Sequence, residues 1–280
     1  MMLIDVATLA GRLDDPRQVI VDCRYNLLDP AAGRGAWTAG HIPGAYYADL
    51  GRDLAGPKHA GSGRHPLPDP AIFTAWVARL GIGPGVQVAV YDDAGGQMAA
   101  RLWWLLRWIG HQEVALVDGG FPAWLAAGFP ISTAMPTGRS PAAPGRAGQM
   151  PVIDTAEVLR SLGTGRWRLI DLRARARFRG EQEPIDPVAG HIPGAANAPF
   201  TDTLDPAGHF RSAEALRTYF LPLLNGHASA TVAAMCGSGV TACHGIFTLE
   251  LAGFPGVHLY TGSWSEWIQS TARPIATGDA

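Results

Sequence analysis

The chain has 280 residues, of which 47% are hydrophobic and 16% charged, with a formal net charge of −2. That length is long for one core and makes two domains the natural expectation. The near-neutral balance gives no electrostatic case for nucleic acid or an anionic membrane surface, and no apolar run approaches the ~20 residues that span a bilayer. Three cysteines, an odd number, argue against a disulfide framework and fit a reducing cytoplasm. The opening Met1-Met-Leu-Ile-Asp-Val-Ala has no basic n-region ahead of an apolar h-region, so no secretory signal is expected.

In chain order, short β-prone runs alternate with helical patterns. In the first half these are residues 18–22, 72–80, 86–91, 98–110 and 114–118. Such alternation predicts an α/β fold, a mainly parallel sheet with helices on both faces and the site at the strands' C-terminal ends. A stretch rich in Pro, Gly and Ala follows and reads as a linker. The expected division is a first domain over 1–135, a linker over 136–150 and a second domain over 151–280.

The second half repeats the first. Gly40-His41-Ile42-Pro43-Gly44-Ala45 returns as Gly190-His191-Ile192-Pro193-Gly194-Ala195. Val19-Ile-Val-Asp22-Cys-Arg24 matches Arg168-Leu-Ile-Asp171-Leu-Arg173, and Asp118-Gly119-Gly120-Phe-Pro-Ala-Trp124 matches Thr261-Gly262-Ser263-Trp264-Ser-Glu-Trp267. The offset is 150 residues at the first motif and 143 at the last, which makes this a duplicated domain and not a solenoid unit. His41 and His191 occur in both halves and are read as structural, as are Asp22 and Asp171 at strand ends.

Chemistry concentrates in Thr231-Val-Ala-Ala-Met-Cys236-Gly-Ser-Gly-Val-Thr-Ala-Cys243. A strand, a tight loop and a helix would place the Cys236 side chain at the helix N-terminus, where backbone N–H groups and the dipole favour an anion. Cys236 is therefore expected as a reactive thiolate. Gly237, Ser238, Gly239, Val240 and Thr241 would form its backbone cradle. Aligning Gly96 with Gly239 sets Asp93 opposite Cys236, and one gap would set Asp92 there. Either way the first half offers no thiol, so one catalytic site per chain is expected. Cys243, two helical turns on, is read as packing. No His/Cys quartet surrounds the two cysteines, so no metal is expected.

Taken together, the Cys236-Gly-Ser-Gly-Val-Thr-Ala loop, the doubled Gly-His-Ile-Pro-Gly-Ala and the paired Gly-rich/Trp motifs resemble the tandem rhodanese-type sulfurtransferases. The resemblance implies two tandem rhodanese-like domains, the second catalytic and the first without its nucleophile, and no cofactor. It implies a small anionic sulfur donor, a persulfide on Cys236, and a thiol or cyanide as acceptor. The loop is closest to that of 3-mercaptopyruvate sulfurtransferases, where the serine at the position of Ser238 is paired with a His and an Asp. By resemblance these are His65 and Asp49, with Asp53 as the alternative, and Tyr25 is a further candidate for the site's lining.

Arg177 matches the arginine that holds the anionic donor, a task that suits a guanidinium's paired N–H groups. The family's second arginine, after a Glu-Pro pair, is absent: Glu183-Pro184 is followed by Ile185 and Asp186. Thiosulfate therefore stays open as the donor, as does a non-catalytic sulfur-carrier or partner-binding role. A phosphatase of the related cysteine-loop type is disfavoured, because Ala242 stands where phosphate chemistry needs an arginine and Met235, not His, precedes the cysteine.

Overall fold

In the computed structural model, residues 2–142, 145 and 147–279 are described. Ala143, Pro144 and Arg146 of the expected linker, and the terminal residues Met1 and Ala280, lie outside them. The chain forms two compact units. The first comprises residues up to Gly56, Leu67–Met150 and Pro206–Phe210; the second comprises Pro57–Pro66, Pro151–Asp205 and the residues from Arg211 onward.

The first unit contains β1 (Leu3–Ile4), α1 (Val6–Ala10), β2 (Gln18–Asp22), α2 (Ala32–Ala39) and β3 (Tyr46–Tyr47). It continues with α3 (Pro70–Arg79), β4 (Gln87–Tyr91), α4 (Ala99–Trp108), β5 (Val114–Val117) and α5 (Gly120–Ala126). The four strand and helix runs read from residue 72 onward match α3, β4, α4 and β5 to within two residues at each end. The start of α3 is set by chemistry the periodicity does not carry. Asp69 accepts from the backbone of Ala71 and Ile72, and Pro70 sits in the first turn, where its missing N–H costs nothing.

The second unit contains β6 (Val152–Ile153), α6 (Thr155–Ser161), β7 (Arg168–Asp171), α7 (Arg175–Phe178) and β8 (Ala196–Asn197). Then come α8 (Ala213–Leu224), β9 (Val232–Met235), α9 (Thr241–Leu251), β10 (His258–Tyr260) and α10 (Ser263–Trp267). Among the described residues each unit builds one five-stranded sheet. The orders are β1-β5-β4-β2-β3 and β6-β10-β9-β7-β8, with every pairing parallel. These are one topology used twice. Parallel sheets are buried on both faces, which is why β2 and β9 are buried along their whole length instead of alternating.

The duplicated motifs do duplicated structural work. Asp22 receives Arg24 through Nε and Nη2, and the same Nη2 reaches the Gly40 carbonyl at 2.7 Å. Asp171, Arg173 and the Gly190 carbonyl repeat the arrangement. The His41 ring bonds the Trp37 carbonyl and the His191 ring the Phe178 carbonyl, each through Nδ1. The Trp124 and Trp267 indoles donate to Pro130 and Pro274 at 2.8 and 2.9 Å. In both pairs the buried carboxylate meets its arginine through Nε and Nη2, as burial of a charge requires.

Register decides which first-half residue stands in the place of Cys236. Asp22 pairs with Tyr91 across β2 and β4, and Asp171 pairs with Met235 across β7 and β9. The next residue is Asp92 in one unit and Cys236 in the other. Their carbonyls take equivalent partners, accepting from Phe121 at 2.9 Å and Trp264 at 3.0 Å. Asp92 is thus the counterpart, and the first unit's loop is one residue longer on the way to Gly96 than the second unit's on the way to Gly239.

The expected linker is fastened to the first unit. Ala142 donates to Ala78 and Gln149 to Trp108, Tyr46 donates to Thr137, and the Arg139 side chain bonds the Pro16 carbonyl.

Candidate active site

β9 delivers Cys236 to the end of its sheet. The side chain is buried at 3% exposure, the loop turns through Gly237–Val240, and α9 begins at Thr241. The loop is held from the opposite side by the start of α10. Cys236 N–H donates to Ser263 Oγ at 3.1 Å, and Ser263 Oγ donates to the Tyr260 carbonyl. The Cys236 and Gly237 carbonyls accept from Trp264 and Ser265. Ser263 is fully buried with φ +52°, a left-handed conformation that Gly120 occupies in the other unit at +56°. A serine tolerates that conformation less readily than glycine. Here its hydroxyl fixes the backbone of the candidate nucleophile, a role that no sequence pattern marks.

Of the two loop glycines, Gly239 is required by close approach. Gly239 has φ +78°, and a Cβ there would stand 2.7 Å from the Thr261 carbonyl oxygen. Gly237 is crowded by guanidiniums: a Cβ built on it would lie 2.7 Å from Arg64 Nη2 and 3.5 Å from Arg177 Nη2. Cys243, in the first turn of α9, turns its Sγ back to the Gly239 carbonyl at 3.3 Å, so it packs beneath the loop.

Ser238, buried at 4% exposure, meets His65 in a hydrogen bond of 2.8 Å between Oγ and Nδ1. These residues are 173 apart in sequence. Both belong to the second unit, because Pro57–Pro66 is part of it. Asp49 and Tyr25 belong to the first unit. There the Asp49 carboxylate accepts from the Gly51 and Arg52 backbone at 3.0 Å each, and Asp53 pairs with Arg52 and accepts from Asp49 N–H.

Arg177 is anchored by Glu183, which takes Nε through both oxygens at 2.9 and 3.0 Å and Nη2 at 2.7 Å. The same Glu183 oxygen accepts from Ile185 and Asp186 N–H, so one buried carboxylate shapes the segment and aims the guanidinium. Asp186 then bridges two cations: Oδ2 takes Arg177 at 3.1 Å, and Oδ1 takes Arg64. Burial pulls the Arg64 guanidinium below its usual range, while the charge of Cys236 acts in the opposite sense and Arg177 adds to the pull.

Cys236, Ser238, His65, Arg177 and the cradle residues therefore converge on one loop. Arg64 and Asp186 join them, although composition and motif spacing single out neither. The assembly offers a thiol at a helix N-terminus, a hydroxyl paired with an imidazole, and guanidiniums over the adjoining glycine. It is equipped for nucleophilic attack on an anionic molecule.

Similarity to known proteins extends along almost the whole chain. The sequence profile described as "Rhodanese-like domain" matches residues 5–127 and again 154–270. A Pseudomonas aeruginosa protein named "Probable 3-mercaptopyruvate sulfurtransferase" is 49% identical over 99% of this chain and 98% of its own length. A Mus musculus protein named thiosulfate sulfurtransferase is 36% identical over 93% of this chain and 88% of its own. The solved 3-mercaptopyruvate sulfurtransferase of Leishmania major superposes with a TM-score of 0.86 at 31% identity, covering 98% of this chain and 76% of that one. Among the described residues no helix is long and apolar enough to cross a membrane.

Proposed function

Because the chain belongs to the rhodanese family, with a rhodanese-like domain in each half and the make-up of a tandem sulfurtransferase, we propose that it moves sulfur from 3-mercaptopyruvate through a persulfide on Cys236. The enzyme class carries a sulfur donor and an acceptor with it. The observation that carries it is the pairing of Ser238 with His65 in the loop that begins at Cys236.

In the first half-reaction the Cys236 thiolate attacks the donor's sulfur. The S–S bond forms as the donor's C–S bond breaks, and the electron pair leaves as the enolate of pyruvate, which is protonated at carbon. A hydroxyl held by an imidazole supports that departure: Ser238 donates to the developing oxyanion and His65 relays the proton. Thiosulfate, whose leaving sulfite needs no such proton, makes less use of the pair. The donor's carboxylate lies against Arg177, aimed by Glu183. The cradle from Gly237 to Thr241 receives the charge that passes between thiolate and persulfide. In the second half-reaction cyanide or a thiolate attacks the outer sulfur, and Cys236 leaves as a thiolate again. The odd number of cysteines, three, fits a reducing compartment, the cytoplasm, as the place for this chemistry.

The test is a side-by-side assay of 3-mercaptopyruvate and thiosulfate with cyanide as acceptor. The expected result is a higher kcat/KM for 3-mercaptopyruvate, abolished by Cys236→Ser in a protein that keeps its melting temperature. A thiosulfate preference would overturn the donor, and transfer persisting in Cys236→Ser would overturn the nucleophile.

A further inference from the structure

Each sheet ends at one side on the strand that follows a Gly-His-Ile-Pro-Gly-Ala motif, β3 in the first unit and β8 in the second. Val21 pairs with Tyr46 and Ile170 with Ala196, so register matches Val19, Gly44 and Tyr46 with Arg168, Gly194 and Ala196. These matched residues line a groove in each unit. In the first unit a stretch of the chain without helix or strand, including Pro136, Thr137 and Arg139, lies along that groove. It enters after Ser132, which bridges to His41. The Tyr46 hydroxyl then donates to the Thr137 carbonyl at 2.7 Å, and the Arg139 side chain bonds the Pro16 carbonyl. In the second unit the chain enters the same way, with Ala276 bridged to His191 and Asp279 at the rim. The space there is about 340 Å³, against about 190 Å³ beside the stretch in the first unit.

The charge of the lining is reversed between the two. Asp14 and Asp15 line the first groove, and its occupant brings Arg139. Arg168 and Arg175 line the second, over an apolar surface of Phe178, Ala196 and Leu223. Arg168 is half-buried; its Nε donates to the Leu223 carbonyl at 2.7 Å and its Nη1 to the Gly194 carbonyl at 3.2 Å. Among the described residues no carboxylate pairs with it, and burial alone pulls its guanidinium below the usual range. Holding a carbonyl in the last turn of α8 accounts for its Nε, but leaves the charge without a counter-ion. The nearby acids are already engaged: Asp202 with Arg175 at 3.1 Å, and Asp279 with Arg179 at 3.4 Å. A partly desolvated cation held only by neutral acceptors favours an incoming carboxylate.

We propose that the groove beside β8 docks an extended segment of a partner protein bearing an acidic side chain, whose carboxylate meets Arg168. The first unit supplies the precedent: its own chain lies in the matched groove and carries a basic side chain into an acidic lining. An extended segment also suits the edge of a sheet, because β8 pairs only with β7 and leaves backbone groups on its outer side. None of the groove's lining residues belongs to the set gathered at Cys236, so the surface serves recognition of a partner and not the transfer step. The proposal is independent of which sulfur donor the chain uses.

The probes are two fluorophore-labelled peptides of residues 132–140 of this chain, one natural and one with Arg139→Glu. Each is titrated with the full chain and followed by fluorescence anisotropy. The Arg139→Glu peptide is expected to bind about ten- to a hundredfold more tightly than the natural one, the range of a charge-assisted contact. Arg168→Gln should abolish that preference, and Arg168→Lys should keep part of it. Because Arg168 also holds α8, the melting temperature is measured alongside. Arg175, at 60% side-chain exposure, supplies a second variant that does not threaten the fold. Arg175→Gln should weaken binding of the Arg139→Glu peptide several-fold, and this result decides the matter if Arg168→Gln does not fold. Cys236→Ser should bind as the wild-type chain does. Equal affinity for the two peptides overturns the proposal, as does binding of the Arg139→Glu peptide that neither arginine variant changes. Displacement of the labelled peptide by acetate as readily as by unlabelled peptide would reveal a site for small anions only, and would overturn the docking of a segment.

Discussion

Glu183 shows how much of a candidate site can hang on a single buried carboxylate. It is 4% exposed at its side chain, aims Arg177 through three contacts, approaches Arg173 at 3.5 Å and accepts two backbone N–H groups. Its removal would leave guanidiniums short of their counter-charge in a buried setting, which costs about 3–5 kcal/mol when one partner of a buried pair is lost. Glu183→Ala is therefore expected to lower the urea midpoint by a margin of that size and to raise the donor KM as well. An unchanged midpoint would show that Asp186 alone suffices. At this scale the sequence was informative where the signal is local. Cys236 and its glycines announce themselves because a β-prone run ends in Cys-Gly-x-Gly, and Arg177 follows from motif resemblance. The meeting of Arg64 with Asp186 spans 122 residues of sequence and joins two side chains that no spacing rule relates. The Ser263 hydroxyl behind Cys236 was hidden for the same reason.

At the scale of elements, the two strand–loop–helix units descend from one pattern and have diverged at its chemical centre. In the first unit the Asp92 carboxylate occupies its own loop: Oδ1 accepts from Ala94 and Gly96 at 2.8 Å, and Oδ2 from Met98 and Ala99 at 2.7 and 2.8 Å. Burial pushes this carboxyl up, and those four backbone donors pull the other way. The N–H cradle that favours an anion after a parallel strand is thus filled by a side chain of the loop itself. Asp92→Asn keeps the shape but sets an NH2 group against two of the donors. The expected loss is about 2 kcal/mol or more, read from chemical denaturation, since each buried group left unsatisfied costs about 1–3 kcal/mol. A neutral result would mean that the donors have other acceptors. The repeat offsets could place either Asp92 or Asp93 here; the pairings of Tyr91 with Asp22 and Met235 with Asp171, and the matching carbonyl partners, distinguish them. Helix α3 was legible from its apolar period, whereas its first turn depended on the Asp69 cap.

For the whole molecule, the duplication and the parallel α/β architecture could be read from sequence because both are written many times over in residue type. The membership of the two units could not. Pro57–Pro66 and Pro206–Phe210 carry no change in composition that would announce which unit they complete. A fragment of residues 151–280 would hold Cys236 and Arg177 but lack Arg64 and His65, along with the Arg64–Ser265 and His65–Ser238 hydrogen bonds. That fragment is expected to show no measurable transfer from 3-mercaptopyruvate under conditions where the full chain is active. Wild-type kcat/KM in the fragment would show that the excursion through residues 57–66 is dispensable.

The same excursion bears on inheritance. A crossover near residue 150 between two such genes would look harmless, since it falls between the two repeats of the sequence. The resulting chimaera would take its nucleophile loop from one parent and its Arg64–His65 pair from the other. Turnover chemistry and donor preference would then come from different ancestors, and only parents matched at both places would yield a working offspring.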